Sequence, residues 1–141
     1  MMNTRLQTFY ETLIEHTTIT EQDIQILRTV ILPEGITTQV EADALIALDR
    51  VLEPTEEWSR LVTDLVVKYV LWGNRRKGRI NAETAHWLIA SLEVGVLTDN
   101  ATRIVREVVS GAEVVDPVLV DFVLHRVRRS TRNRYAERTA A

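Results

Sequence analysis

Two stretches of the sequence decide the fold: Gly35-Ile36-Thr37-Thr38-Gln39-Val40-Glu41-Ala42-Asp43-Ala44-Leu45-Ile46-Ala47 and Gly78-Arg79-Ile80-Asn81-Ala82-Glu83-Thr84-Ala85-His86-Trp87-Leu88-Ile89-Ala90. At one fixed offset, five of their thirteen positions are identical. In each copy a glycine ends one element, a polar cap follows, and an amphipathic helix begins. The repeat predicts helical hairpins and carries no chemistry of its own.

Apolar residues recur at helical spacing along the rest of the chain as well. The sequence therefore predicts an all-α single domain of six to seven helices built from repeated helical hairpins. The second helix is expected to bury Ile24, Leu27, Val30 and Ile31. The last is expected to begin at Asp116-Pro117 and to turn one apolar side inward, made of Val120, Val123, Leu124 and Val127.

Polar residues before these segments predict where the helices begin. Side-chain oxygens that can accept an unpaired backbone N–H precede four of them, at Thr20, Thr37 or Thr38, Asn81 and Thr98. Thr17 or Thr18 with Glu21 is expected to form a capping box. The pair Val114-Val115 favours a strand instead, since valine is β-branched.

Length and composition fit one domain with its own core. A chain of 141 residues is long enough to fold without disulfides or metals, and it contains no cysteine. We expect a helical domain over residues 1–127 and a basic, flexible tail over 128–141, because the apolar period ends at Val127. The amino terminus has no leader pattern and no segment is long and apolar enough for a bilayer, so we expect a soluble, cytoplasmic, bacterial-type protein without a membrane partner.

The net charge of -3 is unevenly distributed. Residues 1–121 carry 11 basic and 19 acidic groups, whereas residues 122–141 carry six basic groups and one acidic group. A basic tail on an acidic body can contact phosphates, another acidic surface or the body itself.

The glycines of the repeated units invite comparison with the calcium-binding EF-hand loop, which needs oxygen ligands before its glycine and a carboxylate six positions after it. With Gly35 at the glycine position, the earlier ligand positions hold two apolar residues and one glutamate. With Gly78 there, they include Arg75 and Lys77, two cations. The loops are therefore EF-hand-like at most in shape and are not calcium sites.

The weak candidates for a metal site are Glu83 and His86, three residues apart on one predicted helix. This spacing is used in di-iron carboxylate bundles, but such a centre needs a second Glu-x-x-His pair, and the sequence has only one. No Gly-x-Ser-x-Gly, Walker loop, dinucleotide fingerprint or His-Glu-x-x-His is present either. We predict no metal, no cofactor and no enzymatic activity.

Two basic clusters remain as binding candidates. The first is the loop of Arg75, Arg76, Lys77 and Arg79 beside Trp72, and tryptophan with arginine is favoured in protein interfaces, although a tryptophan can equally close the end of a helical core. The second is the tail, whose candidate phosphate contacts are Arg126, Arg128, Arg129, Arg132 and Arg134. Tail arginines at helical steps would point to every side of a helix, and a solvated terminus explains them too.

The pattern Glu34-Gly35-Ile36-x-x-x-x-Glu41-Ala42-x-x-Leu45-x-x-Leu48, then Trp58, then Gly78-x-Ile80-x-x-Glu83-x-Ala85-x-Trp87-Leu88, resembles a family of small, functionally uncharacterised α-proteobacterial helical proteins. The likeness covers roughly residues 18–127. More distantly, the pattern is similar to tellurite-resistance B-like (TerB-like) domains, in which an acidic-Gly turn opens a helix. The resemblance implies an all-helical fold. Lys77-Gly78 departs from the acidic-Gly turn, and no functional residue is carried over.

Taken together, these observations favour a non-enzymatic cytoplasmic module that binds another protein or its own copy, with Trp72 and the loop of Arg75, Arg76, Lys77 and Arg79 as the contact. One alternative is an accessory factor that contacts nucleic acid through the basic tail. The other is a metal-dependent helical bundle that uses Glu83 and His86.

Overall fold

A computed structural model describes residues 3–95 and 97–127 of the chain. Its helices are α1 (Thr4–His16), α2 (Glu21–Ile26), α3 (Gln39–Val51), α4 (Glu56–Trp72), α5 (Ala82–Leu92), α6 (Asp99–Gly111) and α7 (Pro117–Asp121). Two of them continue as π-helical turns, α2 into Leu27–Ile31 and α7 into Phe122–Val127. The predicted all-α single domain of six to seven helices is confirmed.

Four helices, α2, α3, α5 and α6, begin at polar residues that the sequence singled out. Each of the four caps accepts a hydrogen bond from the backbone N–H of the third residue of its helix: Thr20, Thr38, Asn81 and Thr98. The expected capping box of Thr17 or Thr18 with Glu21 is wrong. Thr20 and Asp23 form it, because Thr17 has a left-handed backbone (φ 59°) that ends α1.

The two repeated units adopt corresponding conformations. Gly35 and Gly78 both have positive φ angles, 81° and 78°, which a residue with a Cβ atom adopts only with strain. Three residues after each glycine stands the N-cap, Thr38 before α3 and Asn81 before α5. The match between the two sequence units therefore corresponds to the same glycine turn leading into a helix. The two helices, α3 and α5, contact each other.

Helix α4 lies at the centre of the domain, packed on α3, α2 and α6. Trp58 on α4 is fully buried, and its Nε1 donates to Oδ1 of Asp49 on α3 at 3.0 Å. The same carboxylate accepts from Oγ1 of Thr98 at 2.8 Å and from Nδ2 of Asn100 at 2.6 Å. Because buried polar groups need partners, this arrangement ties α3, α4 and the start of α6 together through one side chain.

In the two π-helical turns, two residues that were predicted to be buried are exposed. Val30 is 48% exposed and Leu124 is 47% exposed, although both were expected in the core. In the last helix the deeply buried residues are Leu119 and Phe122. Bonding from residue i to i+5 winds the chain more loosely than an α-helix, so an apolar period of 3.6 residues loses its register across such a turn.

A two-stranded parallel sheet joins the middle of the chain to its end. Strand β1 (Arg79–Ile80) directly precedes α5 and pairs with β2 (Val114–Val115), as the β-branched pair suggested. The strand pairing fixes the segment before α5 against the segment before α7. Within residues 3–95 and 97–127, no helix is long and apolar enough to cross a membrane.

Candidate interaction surface

The connection between α4 and α5, residues 73–79, is called the basic loop here. Gly73 ends α4 by donating its N–H to the carbonyl of Tyr69. A short 3₁₀ turn spans Gly73–Arg75, and three residues with side chains in the loop have positive φ: Asn74 at 53°, Arg75 at 61° and Lys77 at 53°. Such backbone conformations persist only where the surroundings impose them, and they cluster at binding sites.

Backbone hydrogen bonds hold the basic loop from both sides. The N–H of Gly78 donates to the carbonyl of Leu71 at 2.7 Å, near the end of α4. The carbonyl of Gly78 accepts from the N–H of Glu113 at 2.8 Å, just before β2. Inside the loop, the N–H of Arg79 donates to the carbonyl of Arg76 at 2.9 Å. The loop is thus fixed to the core.

Arg76 stabilises the basic loop through hydrogen bonds to the end of α4. Its Nη1 donates to the carbonyl of Tyr69 at 2.7 Å and to that of Gly73 at 3.1 Å, so it caps the last turn of α4. Its guanidinium carbon lies 4.7 Å from the centre of the Tyr69 ring, in cation–π geometry. Asn74 adds a longer hydrogen bond of 3.3 Å from Nδ2 to Oη of Tyr69. The side chain of Arg76 is therefore engaged within the fold.

The other predicted contact residues lie on the surface. Trp72 is 58% exposed, and its ring approaches Gly78, whereas Trp58 is fully buried. Arg75, Lys77 and Arg79, in the loop that follows Trp72, are exposed as well. In the described part of the chain, none of the three cations forms an ion pair. Trp72, Arg75, Lys77 and Arg79 together are called the interaction surface below.

A polar pocket of about 280 Å³ lies at the basic loop. Asn74 and Arg76 line it from the loop, and the start of α3 and the N-cap and first half of α5 contribute the other lining residues: Gln39, Asn81, Glu83, Thr84 and Trp87. The Trp87 ring meets the Tyr69 ring edge-to-face, with centres 6.0 Å apart. The sequence did not predict this pocket, because its walls come from three separate segments. The only related signal in the sequence was the match between the starts of α3 and α5.

The remaining candidates are placed as follows. Glu83 and His86 are exposed on α5, and within residues 3–95 and 97–127 no group of three or more His, Cys, Asp or Glu side chains is arranged to hold a metal ion. Arg126 pairs with Glu93 at 3.3 Å across an exposed surface. The other tail candidates lie outside the described residues: Arg128, Arg129, Arg132 and Arg134.

Comparisons of the chain with protein-family models, with curated proteins and with solved structures found no match. The functional argument therefore depends on the residues themselves.

Proposed function

We propose that the chain is a non-enzymatic helical module of the bacterial cytoplasm that binds an acidic segment of another protein through the interaction surface. One observation supports the proposal: a tryptophan that is 58% exposed ends α4, and the strained loop that follows it carries three exposed cations without an ion pair among the described residues. Arg76 is left out of the proposed contact because its guanidinium group is engaged with Tyr69 and Gly73.

The energetic argument is one of preorganisation. Ordering a flexible loop on binding subtracts from affinity, whereas the basic loop is already fixed by Gly78, Arg76 and the strand pairing. Left-handed residues with side chains cost folding free energy, roughly 1 to 2 kcal/mol each. Their presence at Arg75 and Lys77, both exposed, fits a loop whose conformation is set before a partner binds.

The chemistry of the surface selects the partner. Tryptophan and arginine dominate the binding energy of many protein interfaces, since an indole ring supplies a large rigid apolar area and a guanidinium group binds carboxylates in pairs. Three cations beside one indole suit a segment with an apolar anchor flanked by aspartate or glutamate. Such a surface also steers acidic partners toward it before contact.

The test is capture of partners from a nuclease-treated lysate of the source organism, followed by measurement of affinity with the purified partner. We expect Trp72→Ala to weaken binding about 30-fold or more, equivalent to about 2 kcal/mol. Arg79→Glu is expected to reduce the association rate and its dependence on salt. Matched controls are Leu124→Ala, which truncates another exposed apolar side chain, and Arg28→Glu, which reverses an exposed charge elsewhere.

Equal binding by the wild type and by both surface variants would refute the proposal. Two further arms separate the alternatives. If all partners are lost on nuclease treatment or on truncation after Val127, nucleic-acid contact through the tail becomes the better explanation. If the only partner is the chain itself, the mass of the complex in light scattering identifies a homo-oligomer.

A further inference from the structure

The polar pocket at the basic loop has two residues of opposite charge in its lining. Arg76 contributes a guanidinium group and Glu83 a carboxylate. Although both line the same pocket, no ion pair joins them in the described part of the chain. Gln39, Asn81 and Thr84, which carry amide and hydroxyl groups, also line the pocket.

Arg76 keeps hydrogen-bonding capacity for a ligand. Its Nη1 is occupied by the carbonyls of Tyr69 and Gly73 and is thereby held in place. Its Nε and Nη2 have no acceptor among the described residues, and these two nitrogens form the edge with which guanidinium binds a carboxylate through two parallel hydrogen bonds. A cation fixed in this way is preorganised for an anionic group.

Glu83 offers the complementary group. It occupies the second position of α5, is exposed, and has no hydrogen-bond or ion-pair partner among the described residues. An ionised carboxylate accepts hydrogen bonds only, so it suits an ammonium group. The size of the pocket, about 280 Å³, is at the small end for ligand sites and fits a small molecule rather than a nucleotide.

We infer that this pocket binds a free α-amino acid, with the carboxylate of the ligand at Arg76 and its ammonium group at Glu83. The amide and hydroxyl groups of the lining satisfy the remaining polar edges. Because Asn74 and Arg76 belong to the basic loop, the ligand contacts the same loop that carries Arg75, Lys77 and Arg79. The inference does not depend on the existence of a protein partner.

The experiment uses the full ¹⁵N-labelled chain, titrated with each of the common L-amino acids up to about 10 mM, a range that detects weak millimolar binding. The readout is the indole N–H signal of Trp87, whose Nε1 is held by Oδ1 of Asp43 at 2.9 Å and which lines the pocket. We expect at least one amino acid to shift this signal saturably. Its N-acetyl derivative and its amide are expected to bind poorly, because each lacks one of the two charges.

The chain offers a matched control for Glu83→Gln. Glu57 occupies the same second position of α4, is likewise exposed, and has no partner among the described residues, so Glu57→Gln removes an equal interaction with a helix amino end. Glu83→Gln is expected to weaken amino-acid binding about tenfold or more, since it removes a charge-assisted hydrogen bond. Glu57→Gln is expected to leave binding unchanged.

Two results would overturn the inference. One is the absence of any shift of the Trp87 signal with every amino acid tested. The other is an equal effect of Glu83→Gln and Glu57→Gln on binding, which would place the ligand elsewhere. Both variants change exposed side chains, so the chain is expected to stay folded, and the remaining indole signals verify this in the same spectra.

Discussion

The exposure of Trp72 yields a stability prediction that decides whether this ring is free for a partner. Trp58 is fully buried, whereas Trp72 has only about two-fifths of its surface covered. With roughly 200 Å² per indole side chain and about 25 cal/mol per Å², burial contributes about 5 kcal/mol at Trp58 and about 2 kcal/mol at most at Trp72. Trp58→Ala additionally leaves Oδ1 of Asp49 without one of its donors.

We therefore expect Trp72→Ala to lower the free energy of unfolding by about 1 to 2 kcal/mol and Trp58→Ala to lower it by about 4 to 5 kcal/mol. The assay is urea denaturation followed by far-ultraviolet circular dichroism, because the substitutions remove the fluorescent side chains. The dependence of the free energy on urea should stay unchanged for Trp72→Ala. If Trp72→Ala destabilises the chain as much as Trp58→Ala, the ring closes the core and the interaction surface loses its anchor.

Substitutions at Asp49 and at two glycines test the core and the end of α4. Asp49→Ala is expected to lower the free energy of unfolding by about 3 to 5 kcal/mol, because it removes the acceptor of three hydrogen bonds. Asp49→Asn is expected to lower it by only about 1 to 2 kcal/mol, because the amide keeps Oδ1 as an acceptor. Equal losses for the two variants in urea denaturation would contradict this account. Gly73→Ala places a Cβ atom 2.6 Å from Cδ1 of the buried Tyr69 and is expected to cost about 2 to 3 kcal/mol. Gly95 has a φ of 71° and no atom within 4 Å of an added Cβ, so Gly95→Ala is expected to cost only backbone strain of about 1 kcal/mol. If thermal unfolding shows a larger loss of stability for Gly95→Ala than for Gly73→Ala, the ring of Tyr69 moves aside freely.

The starts of several helices could be predicted because they depend on neighbouring residues. Caps depend on residues within four positions of each other, so Asn81 and Thr98 were found from the sequence, and Thr38 was one of two neighbouring candidates. The predicted buried faces were wrong at Val30 and Leu124, because each lies in a π-helical turn, which shifts the apolar period on which the prediction relies.

The sequence predicted which residues belong to the candidate site, but it did not predict which of them face a partner and which stabilise the loop. The sequence identified Trp72 and the cluster of cations, but it gave Arg75 and Arg76 the same role. Only the structure separates them, since Arg76 folds back over Tyr69 while Arg75 stays in solvent. A guanidinium group has the same chemistry in both places, and which one is engaged depends on the path of the loop.

The sequence by itself determined the helical class, the glycine turns at Gly35 and Gly78 and the location of the basic loop, because periodicity, capping and positive φ are local properties of the chain. Tertiary structure alone decided that Asp49 on α3 meets Thr98 and Asn100 at the start of α6, and that Gln39 and Trp87 line one pocket with Arg76. These features join residues that are far apart in the sequence. Their positions follow from the packing of α3, α4, α5 and α6, which no local pattern encodes.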